Sequence, residues 1–441
     1  MESHRSHKEP SQEQKWHPVE IWMVAVFLSG IMEGALRKWV LPHSIPELGY
    51  VAYLSKDIVF GTLGILISAR FTTPLLENYS RYLQLLLLLF VTGAAGSMIQ
   101  QLNIVGALLN FRSMFFLPLF AYFAARLLLT RQIIPIVRGV ALLTFIPAGL
   151  SIIQFLLPNT HPINTYVDPS MEVIVFDGIV RATGTFAFIS GMSSMTILAV
   201  WAGMFLQTAS HTMGDVFLGR AAVLAGLVCG STSMTRAGLF ISVAIIIGVF
   251  LLSGMKRVFL VPVVLLMALG TIAMPQGAED NVVNPYVTLV STVMERHAKS
   301  DSVMDRFDSM NQYLIQSIFE EPMGNGFGVG QVGGAYFATG ERKFLRYEQE
   351  LPRMVSEIGI VGTLGVLMLR IWIIWTLMQA CWRLPVGTGQ SGLLVCTLSI
   401  LAFFMQNTAF DHVASGFVWP MLAISLAWAE QQSYLAKQIH Q

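Results

Sequence analysis

The chain has 441 residues, 54% hydrophobic and only 12% charged, where a soluble globular domain has about 25% charged, so its polar surface is too small for water to be its solvent. A formal net charge of +1 argues against a nucleic-acid partner, which requires a basic face. The three cysteines, Cys229, Cys381 and Cys396, lie in or beside apolar runs with no CxxC or Cys/His spacing, so no disulfide framework, zinc site or other metal is expected.

Apolar windows long enough to cross about 30 Å of hydrocarbon as helix recur twelve times, near 19–40, 51–69, 82–100, 104–128, 132–157, 185–207, 214–232, 235–254, 257–274, 354–380, 391–409 and 413–431. The expected fold is an all-α integral membrane protein of about 12 transmembrane helices, with a large, partly helical periplasmic loop between the ninth and tenth. Residues 1–18 form a hydrophilic tail, 19–274 carry spans one to nine, 275–353 the loop, 354–431 the last three spans and 432–441 a second tail. No small-residue cleavage site follows the first apolar run, which reads as an uncleaved membrane helix. Lys and Arg in short loops mark the cytoplasmic side. With the N-terminus inside, that side collects Arg70, Arg81, Arg126, Arg131, Arg220, Lys256, Arg257, Arg383 and Lys437. Both termini are then cytoplasmic and the long loop is outside.

The loop is the most polar interval of the chain: residues 275–353 hold 18 of its 53 Lys, Arg, Asp and Glu. A connection of that length is expensive unless functional. Met304, Phe307, Met310, Leu314 and Ile318 recur at helical spacing before Glu320, Glu321 and Pro322 stop them, so the loop is expected to be a cap of amphipathic helices. Gly324-Asn-Gly326-Phe-Gly328-Val-Gly330 does not follow a strand of a βαβ unit, which rejects a dinucleotide site in favour of a turn.

Charged groups at membrane depth are costly enough to invite functional readings. The first span ends in Glu33-Gly-Ala-Leu-Arg37-Lys38-Trp39, where Glu33 and Arg37 share a helix face and can pair. Lys56 and Asp57 are candidates to extend that pair, and Arg112 is a partner or a ligand on the fourth span. Arg181-Ala-Thr-Gly184-Thr-Phe186 precedes the sixth span, and Gly230-Ser-Thr-Ser233-Met-Thr235-Arg236-Ala-Gly238 joins the seventh to the eighth. Each sets an arginine among small residues whose amides and hydroxyls can approach an anion, and arginine's donor fork suits phosphate. Beyond the loop, Glu350, Arg353 and Glu357 fall at helical spacings, which places a carboxylate beside a guanidinium. Asp411-His412 reads as a polar cap on a tight connection or a proton relay.

In this order the elements resemble the O-antigen ligase and O-antigen polymerase superfamily of bacterial envelope enzymes. Ser233-Met-Thr235-Arg236-Ala-Gly238 resembles its Ser-Arg-Gly signature, and Arg181-Ala-Thr-Gly184-Thr-Phe186 its Arg-x-x-Gly-Thr-Phe element. Glu321-Pro-Met-Gly324-Asn-Gly326 resembles the Pro-x-x-Gly-x-Gly turn, and Glu357-Ile-Gly359-Ile-Val-Gly362 the Glu-x-Gly-x-x-Gly opening of the next span. The Glu33 to Trp39 element is similar to a branch of the same superfamily. One departure stands out: ligases of the family carry a His-Asn pair where this chain has Glu348-Gln349, so either a carboxylate replaces the imidazole or the reaction differs.

The resemblance implies metal-independent, inverting glycan transfer on the periplasmic side of the bacterial inner membrane. The donor would be a glycan on polyprenyl diphosphate and the acceptor a glycan hydroxyl or lipid A core, with a flippase and a chain-length regulator as partners and no cofactor beyond the donor. Arg181, Arg236 and Arg112 would hold the diphosphate. Glu350, Glu348 and Arg353 would carry the proton chemistry, supported by Gly184, Thr235, Gly238, Gly326, Glu357, Glu33 and Arg37. The competing functions are a ligase with the same chemistry and another acceptor, and a transporter of a small solute or anion, which many spans and buried charges also permit.

Overall fold

The computed structural model describes residues 16–41, 57–60, 73–98, 112–167, 173, 175–176, 179–253, 303–326, 349–406 and 411–439. The spans expected near 51–69 and 257–274, and most of the 275–353 loop including Glu348, lie outside the described residues apart from residues 57–60, 303–326 and 349–353. Between turns and connecting segments the described chain is helical, apart from a short antiparallel ladder, β1 (Val175–Phe176) with β2 (Ile179–Val180), in which Val175 faces Val180.

The helices are α1 (Pro18–Ala35), α2 (Pro74–Met98), α3 (Leu117–Leu128), α4 (Ile133–Leu143), α5 (Phe145–Leu156) and α6 (Ile189–Ala209). They continue as α7 (Met213–Thr232), α8 (Arg236–Ser253), α9 (Val303–Glu320), α10 (Glu350–Arg383), α11 (Thr388–Phe404) and α12 (His412–Ile439). The amphipathic spacing in the loop is realised as α9, which stops before Glu321 and Pro322.

Among the described residues six segments are long and apolar enough to cross a membrane: Pro18–Val40, Ile133–Leu156, Ile189–Ala209, Met213–Thr232, Glu350–Arg383 and His412–Gln438. The protein is therefore a helical membrane protein. Of the other expected spans, α2 opens with Glu77 and Arg81, α3 is only 12 residues long, and α8 and α11 are shorter apolar helices.

Local chemistry sets the ends of these helices. His17 and Glu20 form a reciprocal cap at the start of α1, with Pro18 at its first position, where a missing N–H costs nothing. At the other end α1 widens into a π turn, Leu36–Val40, closed by the Leu41 N–H donating to the Leu36 carbonyl at 2.8 Å. A second π turn, Arg112–Phe116, leads into α3. Such turns are frequent at functional sites, and both carry basic residues singled out above.

The core is centred on α6 and α12, whose apolar windows are each 89% buried. Phe27 of α1 stacks on Trp201 of α6 and Phe417 of α12 at 6.2 and 6.3 Å, and the Trp201 indole N–H donates to Cys396 Sγ of α11. All three cysteines are free and buried. Helices α6 and α7 approach through Gly203 and Gly219, where an added Cβ on either would lie within 2.5 Å of the other's carbonyl oxygen. Close approach through small residues is the usual way membrane helices gain dispersion contact. Peripheral α10 instead exposes Val361, Leu364, Met368, Ile371 and Trp375. Their three- and four-residue spacing makes one apolar stripe, which lipid solvates and water would not.

Candidate functional site

The separated sequence elements meet at one end of the helical body, where α1, α7 and α11 finish and α6, α8 and α12 begin. The turn formed by residues 181–187 is the hub. Its Ala182 N–H donates to the Thr232 carbonyl at 3.1 Å, and Arg181 Nε donates to the Ser233 carbonyl at 3.2 Å. Two groups brace it from other elements. Gln154 of α5, buried at 1% exposure, accepts from the Thr183 and Gly184 N–H groups through Oε1 at 3.0 and 2.7 Å. Lys38 Nζ donates to Thr183 Oγ1 and to the Gly184 carbonyl, both at 2.9 Å. Gly34 of α1 lies directly under the turn, since a Cβ there would come within 2.5 Å of the Phe186 and Thr185 backbone. The first-span element and the Arg181 element are thus one unit. Only a glycine at 34 allows it.

Glu33 is buried and pairs with Arg37 at 3.0 Å, as the four-residue spacing predicts. Its second oxygen faces His412 Nε2 at 3.4 Å. Asp411 caps α12, its Oδ1 accepting from the Val413 and Ala414 N–H groups. Asp57 does not join this network. It pairs with Arg112 at 3.0 Å, both side chains being about 10% exposed, so Arg112 has a structural counter-ion; Lys56 lies outside the described residues.

The connection between α7 and α8 is a tight helix stop. Thr235 N–H donates to the Gly230 carbonyl and Met234 N–H to the Ser231 carbonyl, the paired pattern of a Schellman turn. Met234 takes the left-handed position at φ 53, where glycine is usual. Ser233 Oγ donates to the Cys229 carbonyl and lies 2.9 Å from Thr235 Oγ1. The turn places Arg236 at the first position of α8, and Gly238 packs on Ser193 of α6, whose Oγ accepts from Gln406 Nε2 at 3.0 Å.

The Glu350 region is arranged differently from a single straight helix. Arg370 grips Glu350 through two bonds, 2.7 and 3.1 Å, and also donates to the Phe404 carbonyl. Twenty residues of straight helix would put Glu350 and Arg370 about 30 Å apart, so α10 folds back on itself. The reversal is at Gly359, with φ 70 and ψ 178. Into it docks the turn at residues 321–326: Asn325 and Gly326 N–H groups donate to the Ser356 and Glu357 carbonyls, and Ile360 N–H to the Pro322 carbonyl. The Gly-rich turn and the Glu357 to Gly362 element therefore form a second unit, with Arg353 and Glu357 buried in its short arm. The spacing of Glu350, Arg353 and Glu357 points to a local carboxylate–guanidinium pair; the structure adds Arg370, which bonds to both oxygens of Glu350.

At the opposite end, Arg138 of α4 makes a two-bonded pair with Asp215 of α7 at 2.7 and 3.0 Å, and Ser210 and Thr212 hydroxyls donate to the same carboxylate. Glu430 accepts from the Leu75 N–H, and Gln431 donates to the Leu128, Leu129 and Arg131 carbonyls. These contacts clamp α12 to α2 and α3. Asp215→Asn is expected to lower unfolding stability by roughly 1.5–3 kcal/mol, the usual worth of a hydrogen bond to a charged group, while leaving function at the far end intact. Denaturation of the purified variant in lipid, alongside an activity assay, checks both.

Of the candidate residues, Arg181, Gly184, Thr235, Gly238, Glu33 and Arg37 come together around the hub. Gly326 and Glu357 meet in the second unit, where Arg353 shares the short arm and Glu350 is bound to Arg370. Gln154 and Arg370 were not anticipated. An arginine inside an apolar run, as Arg370 is, was a signal, whereas nothing local marks Gln154. Among the described residues no group of three or more His, Cys, Asp or Glu is placed to hold a metal. No protein-family model matches the chain, and no curated protein matches it significantly.

Proposed function

We propose that the protein transfers a glycan from a polyprenyl-diphosphate carrier to a glycan hydroxyl, as a polysaccharide polymerase of the O-antigen type. The observation that carries this reading is the hub itself: four polar elements far apart in sequence, three of them basic, are brought to one end of a membrane body. A lipid diphosphate leaves readily when its developing charge meets preorganised cations, and Arg181 is held against the Ser233 carbonyl for such a role. Arg236, opening α8 one turn away, is the second cation.

In this reading the chain crosses the membrane twelve times, counting the two windows outside the described residues, with both termini cytoplasmic. The end opposite the hub collects Arg81, Arg126, Arg131 and Arg383, in keeping with a cytoplasmic face. The acceptor's proton goes to a carboxylate of the Glu348 to Glu350 stretch. Because Arg370 occupies both oxygens of Glu350, Glu348 is the better base. Glu348→Gln is therefore expected to lower transfer about 100-fold or more, about 100-fold being the lower end of the usual general-base contribution. Glu350→Gln should act mainly on stability. Equal transfer by the Glu348→Gln variant and wild type would reassign the base.

Deleting the gene and separating the glycans on a gel tests the class. Loss of polymer with single repeat units remaining supports a polymerase. Long lipid-linked polymer without transfer to lipid A core or protein indicates a ligase. Normal glycans together with solute uptake by the reconstituted protein would favour a transporter and overturn the reading.

A further inference from the structure

We propose that Lys38 is the buried cation of a phosphate-ester site reached from the lipid side of the hub. Lys38 is 3% exposed, and its ammonium donates to two neutral oxygens, Thr183 Oγ1 and the Gly184 carbonyl, each at 2.9 Å. An ammonium has three donors. Its remaining close contact is the Trp39 ring at 4.5 Å, and no carboxylate among the described residues pairs with it. The neighbouring Arg37 shows the contrast, being paired with Glu33. Removing a cation from water costs several kcal/mol unless a counter-charge answers it, and the hydrogen-bond partners of Lys38 among the described residues are neutral oxygens, so a bound anion is what would stabilise the charged form here.

A second observation points to the same place. Thr185 Oγ1, in the same turn that Lys38 braces, is buried and has no hydrogen-bond partner among the described residues. A hydroxyl at 1% exposure without a partner is a vacant donor, because buried polar groups are otherwise satisfied. The direction of approach follows from the surrounding surface. Leu36, Trp39 and Val40, on the same π turn as Lys38, are exposed apolar residues, which suits contact with acyl or prenyl chains and not with water. The ligand class is thus a phosphate ester tethered to a lipid. Polyprenyl diphosphate and a phospholipid headgroup share that chemistry; the choice between them rests on the proposed glycan transfer.

The test uses the full chain in nanodiscs of neutral lipid, with wild type and Lys38→Gln compared. Glutamine keeps donors for the Thr183 and Gly184 oxygens and removes only the charge. Three probes are titrated: undecaprenyl diphosphate, phosphatidylglycerol and inorganic pyrophosphate. The expected result is undecaprenyl diphosphate binding weakened at least about tenfold in the variant, with pyrophosphate binding far more weakly than the lipid to both; one factor of ten corresponds to about 1.4 kcal/mol. Lys38→Gln binding within about twofold of wild type overturns the inference, and so does pyrophosphate binding as tightly as the lipid. Charge-dependent binding of phosphatidylglycerol, without any binding of undecaprenyl diphosphate, supports the site and sinks the glycan-transfer reading instead. Should the variant fail to fold, mass spectrometry of wild-type Lys38 after amine acylation decides: the lipid diphosphate must protect Lys38, and undiminished labelling overturns the site.

Discussion

Replacing Arg181 with alanine is expected to lower glycan transfer by about 100-fold or more, with the protein still inserted in the membrane. The size follows from what removal of one preorganised charge-stabilising donor costs elsewhere, roughly 3–4 kcal/mol of transition-state stabilisation. The position makes the loss specific. Arg181 Nε is tied to the Ser233 carbonyl, so the guanidinium is held in place before any substrate arrives, and it sits in the turn that Gln154, Lys38 and Gly34 brace from three sides. Lysine at 181 keeps the charge and loses the fork, so Arg181→Lys should fall between alanine and wild type. Polymer length on a gel, with membrane content checked by immunoblot, reads both variants. Full-length polymer from Arg181→Ala would end the proposal that this arginine holds the leaving diphosphate.

The largest expected effect on stability is at Gly359. Its φ of 70 with ψ of 178 is a region essentially restricted to glycine, where any other residue costs about 1–3 kcal/mol. Space adds to the strain. A Cβ at 359 would lie 2.7 Å from the Met323 carbonyl carbon, and the reciprocal Cβ at Gly324 would lie 2.5 Å from the Gly359 nitrogen. Backbone cannot yield as a flexible side chain can. Gly359→Ala is therefore expected to destabilise the protein by about 3 kcal/mol or more and to open the fold-back that sets Glu350 against Arg370. Faster proteolysis near residues 321–326, together with a lowered denaturation midpoint, would register it. Gly149→Ala is the matched control, because it is helical with nothing within 4 Å of the added methyl. It should be neutral or stabilising by about 0.5–1 kcal/mol. Equal behaviour of the two variants would show that the Gly359 reversal does not constrain the native state.

Both effects depend on pairings that no single stretch of the chain declares. The lipid environment, the helical class, the apolar window of α10 and the stop of α9 before Glu321 could be read directly, because they follow from composition and from periodicity within one segment. The Glu33–Arg37 pair could be read for the same reason: four residues apart on a helix is a local relation. Arg370 as a partner of Glu350 could not be read this way, because a glycine at φ 70 turns one helix into two arms. Asp57 went to Arg112, outside the first-span network that its position suggested.

The short motifs were legible as motifs but not as a structure. Glu33 to Trp39, Arg181 to Phe186 and Ser233 to Gly238 could be picked out for their charges among small residues. That they form one hub is decided by Gly34 under the 185–187 backbone, by Lys38 and Gln154 on the 183–184 turn and by Ala182 and Arg181 on the α7 terminus. By itself the sequence determined the solvent, the class of element and where costly polar groups interrupt apolar runs, since each is a matter of which residues stand within a turn or two of one another. The tertiary structure alone decided which of those polar groups answer one another. Charge pairing and close backbone contact depend on distance in space, and helices bring together residues as far apart in the chain as Leu75 and Glu430, 355 positions.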